Sequence, residues 1–215
     1  KDHKDLFLCD DLWISYFLYY IKKNKILSLQ EYLKKGNDEK ISLIYIKDEE
    51  SLIDSFSDLD VLVTYKIKPE VFKYHSEKLK WIHIGASGVE ENLFNDILKS
   101  KVMITNAKGI NSKPVAEFII SQIMYFSKNL SKCEQFKKDR IWNQWDLAKQ
   151  TKQLSKSTLG IIGYGEIGKE LSKLAKSFGM KVIATRRLQK KIETKKYVDF
   201  LIPTSQIKEI FKQSD

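Results

Sequence analysis

Short apolar, β-branched runs alternate along the chain with segments whose apolar residues recur at helical spacing. Residues 6–9, 41–46, 61–65, 81–84 and 102–105 read as buried strands, while 12–23, 49–56, 69–75 and 91–98 read as helices with one apolar face. This alternation predicts a parallel sheet with helices on both faces, because parallel neighbours need a crossover between them. Residues 24–40 fit either a further strand and helix or an irregular excursion.

From Ser112 the pattern lengthens into one long helix. Ser112 suits the N-cap, Pro114 is tolerated in the first turn, and Val115, Phe118, Ile119, Ile123 and Phe126 are expected on its apolar face. Such a helix commonly joins two domains. Its continuation through 133–140 is polar, and Trp142 and Trp145 are expected to pack where the chain turns back. A second α/β series follows, with a strand over 159–162, a glycine-rich turn, a helix over 167–178, Gly179 as its stop and a strand over 181–185. Ile167, Leu171, Leu174, Ala175 and Phe178 form the expected face of that helix, and residues 205–212 read as a last one. A doubly wound nucleotide domain with only this content lacks its second βαβ half at Asp215.

Composition narrows the class. The 215 residues are 42% hydrophobic with only 9 Gly and 3 Pro, which excludes collagen-like and Pro/Gly-rich disordered chains and suggests one large or two small domains. The 38 Lys+Arg against 28 Asp+Glu give a net charge of +10, but the lysines are spread along the chain among acids. That distribution reads as a solvated surface, and no nucleic-acid partner is expected. No apolar run approaches the roughly 20 residues of a membrane span, the best being the serine-containing stretch 12–21, so no membrane partner is expected either. The start, Lys1-Asp2-His3-Lys4-Asp5, does not read as a signal peptide and lacks an initiator Met, so the chain looks trimmed. Two cysteines, Cys9 and Cys133, are too few for a disulfide framework, and Cys9 reads as a buried thiol. The cytoplasm is the expected compartment.

Two turns carry candidate chemistry. The first, Gly163-Tyr164-Gly165-Glu166-Ile167-Gly168, is a GxGxxG placed after a strand and at the start of a helix. Gly163 can make the tight turn, Gly165 can let the backbone approach a pyrophosphate, and Gly168 can let helix and strand pack closely. N–H groups near Glu166 and Ile167 then meet phosphates at the positive end of the helix dipole. The plainer reading is a glycine-rich turn without ligand; a methyltransferase fits less well because its cofactor brings no pyrophosphate. The second turn, Gly85-Ala86-Ser87-Gly88-Val89, follows the 81–84 strand and forms a potential nest for a small carboxylate, or else a simple turn. His83 reads as a satisfied residue within the strand, and Lys66 as a surface lysine that could also attract an anionic substrate.

The segments KLKWIHIGASGVEENLF (78–94), VMITNAKGINSKPVAEFIISQIM (102–124) and STLGIIGYGEIGKELSKLAKSFGMKVIATRR (157–187), in this order, resemble the D-2-hydroxyacid dehydrogenase family over the whole chain. The resemblance implies an α/β protein with a flavodoxin-like substrate domain in 1–105. An inter-domain helix around Ala116 and Glu117 and an incomplete Rossmann domain, a doubly wound parallel sheet, follow in 106–215. It implies an NAD(P)-dependent oxidoreductase that interconverts small 2-oxo acids and D-2-hydroxy acids by hydride transfer. Ala86, Ser87, Gly88 and Val89 match the family's substrate-carboxylate loop, and Gly163 to Gly168 its pyrophosphate loop. Glu117 matches a residue of mainly structural role. The family's catalytic arginine, glutamate and histidine come from later in its Rossmann domain. No catalytic or metal-binding residue is therefore assigned here, and the 215-residue chain alone is expected to be inactive. A homodimer built on the Rossmann domains and the helix after Ser112 is implied. The competing class is a dinucleotide-sensing, non-catalytic interaction protein of corepressor type.

Cofactor choice rests on the end of the second Rossmann strand, Ala184-Thr185-Arg186-Arg187. NAD-binding proteins place an acid there for the ribose 2′-hydroxyl, and here Arg186 takes that place. Arg186 and Arg187, with the Thr185 hydroxyl, are expected to grip a 2′-phosphate, so NADP(H) is preferred over NAD(H). The alternative is that one or both arginines are solvated surface charges.

Overall fold

A computed structural model of the chain describes residues 4–9, 41–46 and 48–215. The expectations for 12–23, for 24–40 and for the Cys9 thiol fall outside what is described. The chain divides into two compact units, Lys1–Lys108 and Gly109–Asp215. The division expected at 105/106 falls inside a strand, Met103–Asn106, and the Ala107 N–H still bonds the Ile84 and Ala86 carbonyls, so the chain stays with the first sheet to that point.

In the first unit β1 (Lys4–Cys9), β2 (Ile41–Ile46), β3 (Val61–Thr64), β4 (Trp81–Ile84) and β5 (Met103–Asn106) lie in the order β2-β1-β3-β4-β5 with every pairing parallel. This is the flavodoxin-like order. Period-two alternation sets the faces: Leu62, Thr64, Ile82 and Ile84 point into the core, and Val61, Val63, Trp81 and His83 are half-buried. The core face is covered by α1 (Glu49–Ser55), α2 (Pro69–Phe72) and α3 (Asn95–Lys99), which contribute Leu52, Val71, Phe72 and Ile97. Asp48 caps α1 by accepting the Ser51 N–H at 2.8 Å. The helix expected over 91–98 is split into a 3-10 turn, Glu90–Asn92, and α3. The cause is Asn92, whose buried amide turns inward and accepts the Ile67 N–H at 2.8 Å.

In the second unit β6 (Thr158–Ile162), β7 (Lys181–Arg186) and β9 (Val198–Pro203) are parallel, and β8 (Glu193–Lys195) runs antiparallel to β9 at one edge. Its helices are α4 (Ser112–Ser127), α5 (Leu130–Asp139), α6 (Gln144–Gln150), α7 (Glu166–Ser177) and α8 (Ile207–Gln213). Gly179, at φ +75°, stops the segment after α7 as expected.

Four expectations are corrected. The N-cap of α4 is Asn111, and Ser112 is its first, buried, residue. On α4 Ala116 and Ile120 are buried and the expected Ile119 and Ile123 pack partly buried against the same core, whereas Phe118 and Phe126 are 66% and 75% exposed. Small Ala116 lets α4 approach α7 closely, which turns the aromatic positions outward. Trp142 and Trp145 are 88% and 73% exposed, because the α5–α6 hairpin closes on polar contacts instead: Lys132 with Asp146, and Asn129 with Gln150. On α7, Leu171 and Ala175 are buried, but Ile167 and Phe178 at its ends are exposed. No helix among the described residues is long and apolar enough to cross a membrane.

Candidate functional site

The glycine turn at the carboxyl end of β6 is built for close approach. Gly163 sits at φ +100°, a left-handed conformation that side chains disfavour. A Cβ on Gly168 would stand 2.8 Å from the Gly163 carbonyl oxygen and 3.2 Å from Ile161, so only glycine lets α7 sit this near β6. A Cβ on Gly165 would meet nothing within 4 Å, which leaves that side of the turn open. Gly165 is the N-cap of α7, and its carbonyl accepts the Lys169 N–H at 2.9 Å. The first-turn N–H groups of Ile167 and Gly168 face outward from the helix start, where no carbonyl of α7 can accept them. Glu166 pairs with Lys169 at 2.7 Å, which neutralises the one carboxylate of the turn. Tyr164 packs against the core of this unit.

Thr185 ties β7 to this turn. It is 2% exposed, its hydroxyl accepts the Gly163 N–H at 3.3 Å, and its carbonyl accepts the Tyr164 N–H at 2.6 Å. The structure therefore gives Thr185 a supporting place under the loop. Arg186 ends β7 and Arg187 follows it, both exposed, and neither forms a salt bridge among the described residues. The Arg186 carbonyl accepts the Gln189 N–H at 3.0 Å and the Thr204 hydroxyl at 3.2 Å, so its backbone is fixed while its guanidinium is unpaired.

The other turn lies at the carboxyl end of β4 in the first unit. The Gly85 N–H bonds the Thr64 carbonyl at 2.8 Å, and a Cβ on Gly85 would meet the Tyr65 ring at 3.2 Å. The Ala86 carbonyl accepts the Ala107 N–H and the Ser87 carbonyl accepts Asn106 Nδ2 at 2.8 Å, so both carbonyls are held toward β5. The N–H groups of Ser87, Gly88 and Val89 donate to no carbonyl among the described residues. Beside them is a cleft of about 270 Å³ lined by Tyr65, Lys66, Ala86, Gly88, Glu90, Glu91 and Asn92. Lys66 pairs with Glu91 at 2.7 Å and holds that carboxyl below the usual range, while burial pushes the Tyr65 hydroxyl up. His83 lies outside the cleft lining; its Nδ1 and Trp81 Nε1 both bond the Thr105 hydroxyl, at 2.8 and 2.7 Å. Glu117 is exposed on α4. Sequence reasoning missed Asn92, which bridges the Ile67 N–H and the Tyr65 carbonyl; a lone Asn within an apparent helix was its only signal. No cluster of His, Cys, Asp and Glu among the described residues could hold a metal ion.

Residues 120–215 match the NAD binding domain of the D-isomer specific 2-hydroxyacid dehydrogenases. Glyoxylate reductase of Thermococcus litoralis is 27% identical over 161 residues, covering 69% of this chain and 48% of that protein. D-3-phosphoglycerate dehydrogenase of Dictyostelium discoideum is 31% identical over 137 residues, covering 63% of this chain and 33% of that protein. Among solved structures, a D-isomer specific 2-hydroxyacid dehydrogenase family protein from Aeromonas salmonicida has a TM-score of 0.72 at 18% identity, over 100% of this chain and 62% of its own. Residues 120–215, within the second unit, are thus similar to the NAD binding domain of the D-isomer specific 2-hydroxyacid dehydrogenases, and the chain shares its fold with a solved protein of that family. The chain spans a third to a half of these two curated relatives, 33% and 48%.

Proposed function

We propose that the protein carrying this chain is a D-2-hydroxyacid dehydrogenase that reduces a small 2-oxo acid, with NADPH preferred over NADH. The observation that carries the reading is the Gly163 to Gly168 turn, whose open face at Gly165 and helix-start N–H groups fit a pyrophosphate within a domain of this family. When bound, the nicotinamide supplies or accepts the hydride. This chain contributes binding: the turn holds the diphosphate, Arg186 and Arg187 take the ribose phosphate, and the N–H groups of Ser87, Gly88 and Val89 take the acid's carboxylate. We give no residue of this chain a catalytic role.

The relatives' names, glyoxylate reductase and D-3-phosphoglycerate dehydrogenase, support a short 2-oxo acid as substrate class. A homodimer is part of the proposal, supported by the aromatic side chains Phe118, Phe126, Trp142 and Trp145 that the second unit exposes. The test is oxidation of NADPH by the whole protein carrying this chain in the presence of glyoxylate or hydroxypyruvate, followed by the loss of nicotinamide absorbance. Acid-dependent oxidation is expected. Cofactor binding without turnover of any 2-oxo acid overturns the enzyme reading.

A further inference from the structure

We propose that the cleft beside the Gly85 to Val89 turn selects 2-oxo acids carrying a single negative charge and rejects those with a second anionic group, with Glu90 and Glu91 as the selecting residues. The inference rests on the proposed function, since it concerns what that acid site admits.

Once the backbone N–H groups of Ser87, Gly88 and Val89 hold the acid's own carboxylate, its remaining part meets Tyr65, Lys66, Glu90, Glu91 and Asn92. Lys66 is the one cation among the described residues lining this cleft, and it is committed to Glu91 at 2.7 Å. Lys66 in turn holds the Glu91 carboxyl below the ordinary range. The Asn92 amide is committed to the Ile67 N–H at 2.8 Å and the Tyr65 carbonyl. Glu90 pairs with no cation among the described residues, and its Oε2 stands 2.9 Å from the place a Cβ on Gly88 would take, directly over the turn. Two carboxylates and one ammonium leave the wall with a net negative charge. A phosphate or second carboxylate brought into 270 Å³ of space therefore meets repulsion that no spare cation among the described lining residues offsets. A neutral hydroxyl or hydrogen at the same place meets none.

The test compares hydroxypyruvate with its 3-phosphate ester, which differ by the phosphate alone, as substrates of the whole protein carrying this chain. The expected kcat/KM ratio favours hydroxypyruvate by about tenfold or more, and the preference shrinks as salt is raised. Glu91→Gln, which releases Lys66, and Glu90→Gln, which removes the unpaired charge, should each narrow that ratio several-fold. NADPH affinity serves as the check that each variant is folded. A wild-type preference for the phosphate ester, or a ratio that neither variant moves, overturns the inference while leaving the dehydrogenase reading in place. Turnover of neither acid with either cofactor removes the dehydrogenase reading and this inference together.

Discussion

The hydroxyl of Thr185 accepts the N–H of Gly163 at 3.3 Å across the ends of two neighbouring strands. Together with the bond from the Tyr164 N–H to the Thr185 carbonyl, it fixes the glycine turn to β7. In the proposed role of presenting its N–H groups to a diphosphate, the turn gains by being held before the ligand arrives, because ordering it on binding would weaken the affinity.

Replacing Thr185 by Val keeps the shape and removes the acceptor. An N–H left without its partner in a part-buried place costs about 1 kcal/mol or somewhat more. The variant should unfold at lower denaturant and bind NADPH several-fold more weakly, whereas Thr185→Ser should behave as wild type. Urea denaturation and cofactor titration of both variants check this; a Val variant with unchanged affinity would mean that the bond does not order the turn.

The glycines of the turn should separate by the space around them. Gly168→Ala places a methyl 2.8 Å from a backbone oxygen that cannot swing away, and such overpacking costs about 1–3 kcal/mol. Gly165→Ala meets nothing in the folded chain, so its stability should change by less than about 0.5 kcal/mol while its methyl occupies the side the cofactor approaches. The expected outcome is a stable Gly165→Ala protein with impaired NADPH binding and a destabilised Gly168→Ala protein. Equal losses of stability in both would refute the assignment of the open face.

Asp199 gives the second unit a pH-dependent contact. Burial alone would raise its carboxyl, but the Val182 N–H at 2.8 Å and Lys176 at 3.0 Å outweigh it and hold the folded value below the ordinary one. A depressed folded value means that the contribution is complete above the unfolded value of about 3.9 and is lost as pH falls through the folded one. The pair is partly solvated, so the contribution is about 1 kcal/mol. Asp199→Asn should therefore be less stable than wild type at pH 6, with the gap closing below about pH 4. Denaturation midpoints across that range decide it, and a gap that persists at low pH would point to packing alone.

The same Asp199 shows why part of the fold escaped the sequence. β9 carries this charge between Val198 and Phe200, which breaks the apolar run that marks a buried parallel strand, and only the partners Lys176 and Val182 make the charge tolerable. β8 is polar and wholly exposed, so no hydrophobic period announces it. Strands such as Ile41–Ile46 and Trp81–Ile84 were legible because each is an apolar run broken by a single polar residue, Ser42 or His83. On α4 the apolar positions span more than one face, and the period alone does not say that Ile119 and Ile123 turn toward the core while Phe118 and Phe126 stay outside; the small side chain of Ala116 brings the helix in on its own side. In the candidate sites, both glycine turns were legible as turns following strands. The support given by Thr185 and Asn92 was not, because each acts through a hydrogen bond to a segment more than twenty residues away.

The proposed preference for NADPH rests on the end of β7. Thr185 is turned under the loop, so in that proposal Arg186 and Arg187 discriminate between a ribose hydroxyl and a ribose phosphate. Adjacent residues at a strand end do not point the same way, so one arginine is expected to dominate, and Arg186 stands where NAD-binding proteins carry their acid. Its backbone is pinned by Gln189 and Thr204, and no carboxylate among the described residues competes for its guanidinium. A charge-assisted hydrogen bond to phosphate contributes about 1.5–3 kcal/mol, which corresponds to a preference for NADPH of roughly tenfold to hundredfold. Arg186→Asp should invert that preference by repelling the phosphate and offering the hydroxyl an acceptor, and Arg187→Ala should lower it only modestly. Titrating wild type and both variants with NADPH and NADH at one fixed low salt concentration tests the assignment. Equal wild-type affinities for the two cofactors, or an Arg186→Asp protein with its preference unchanged, would reject it.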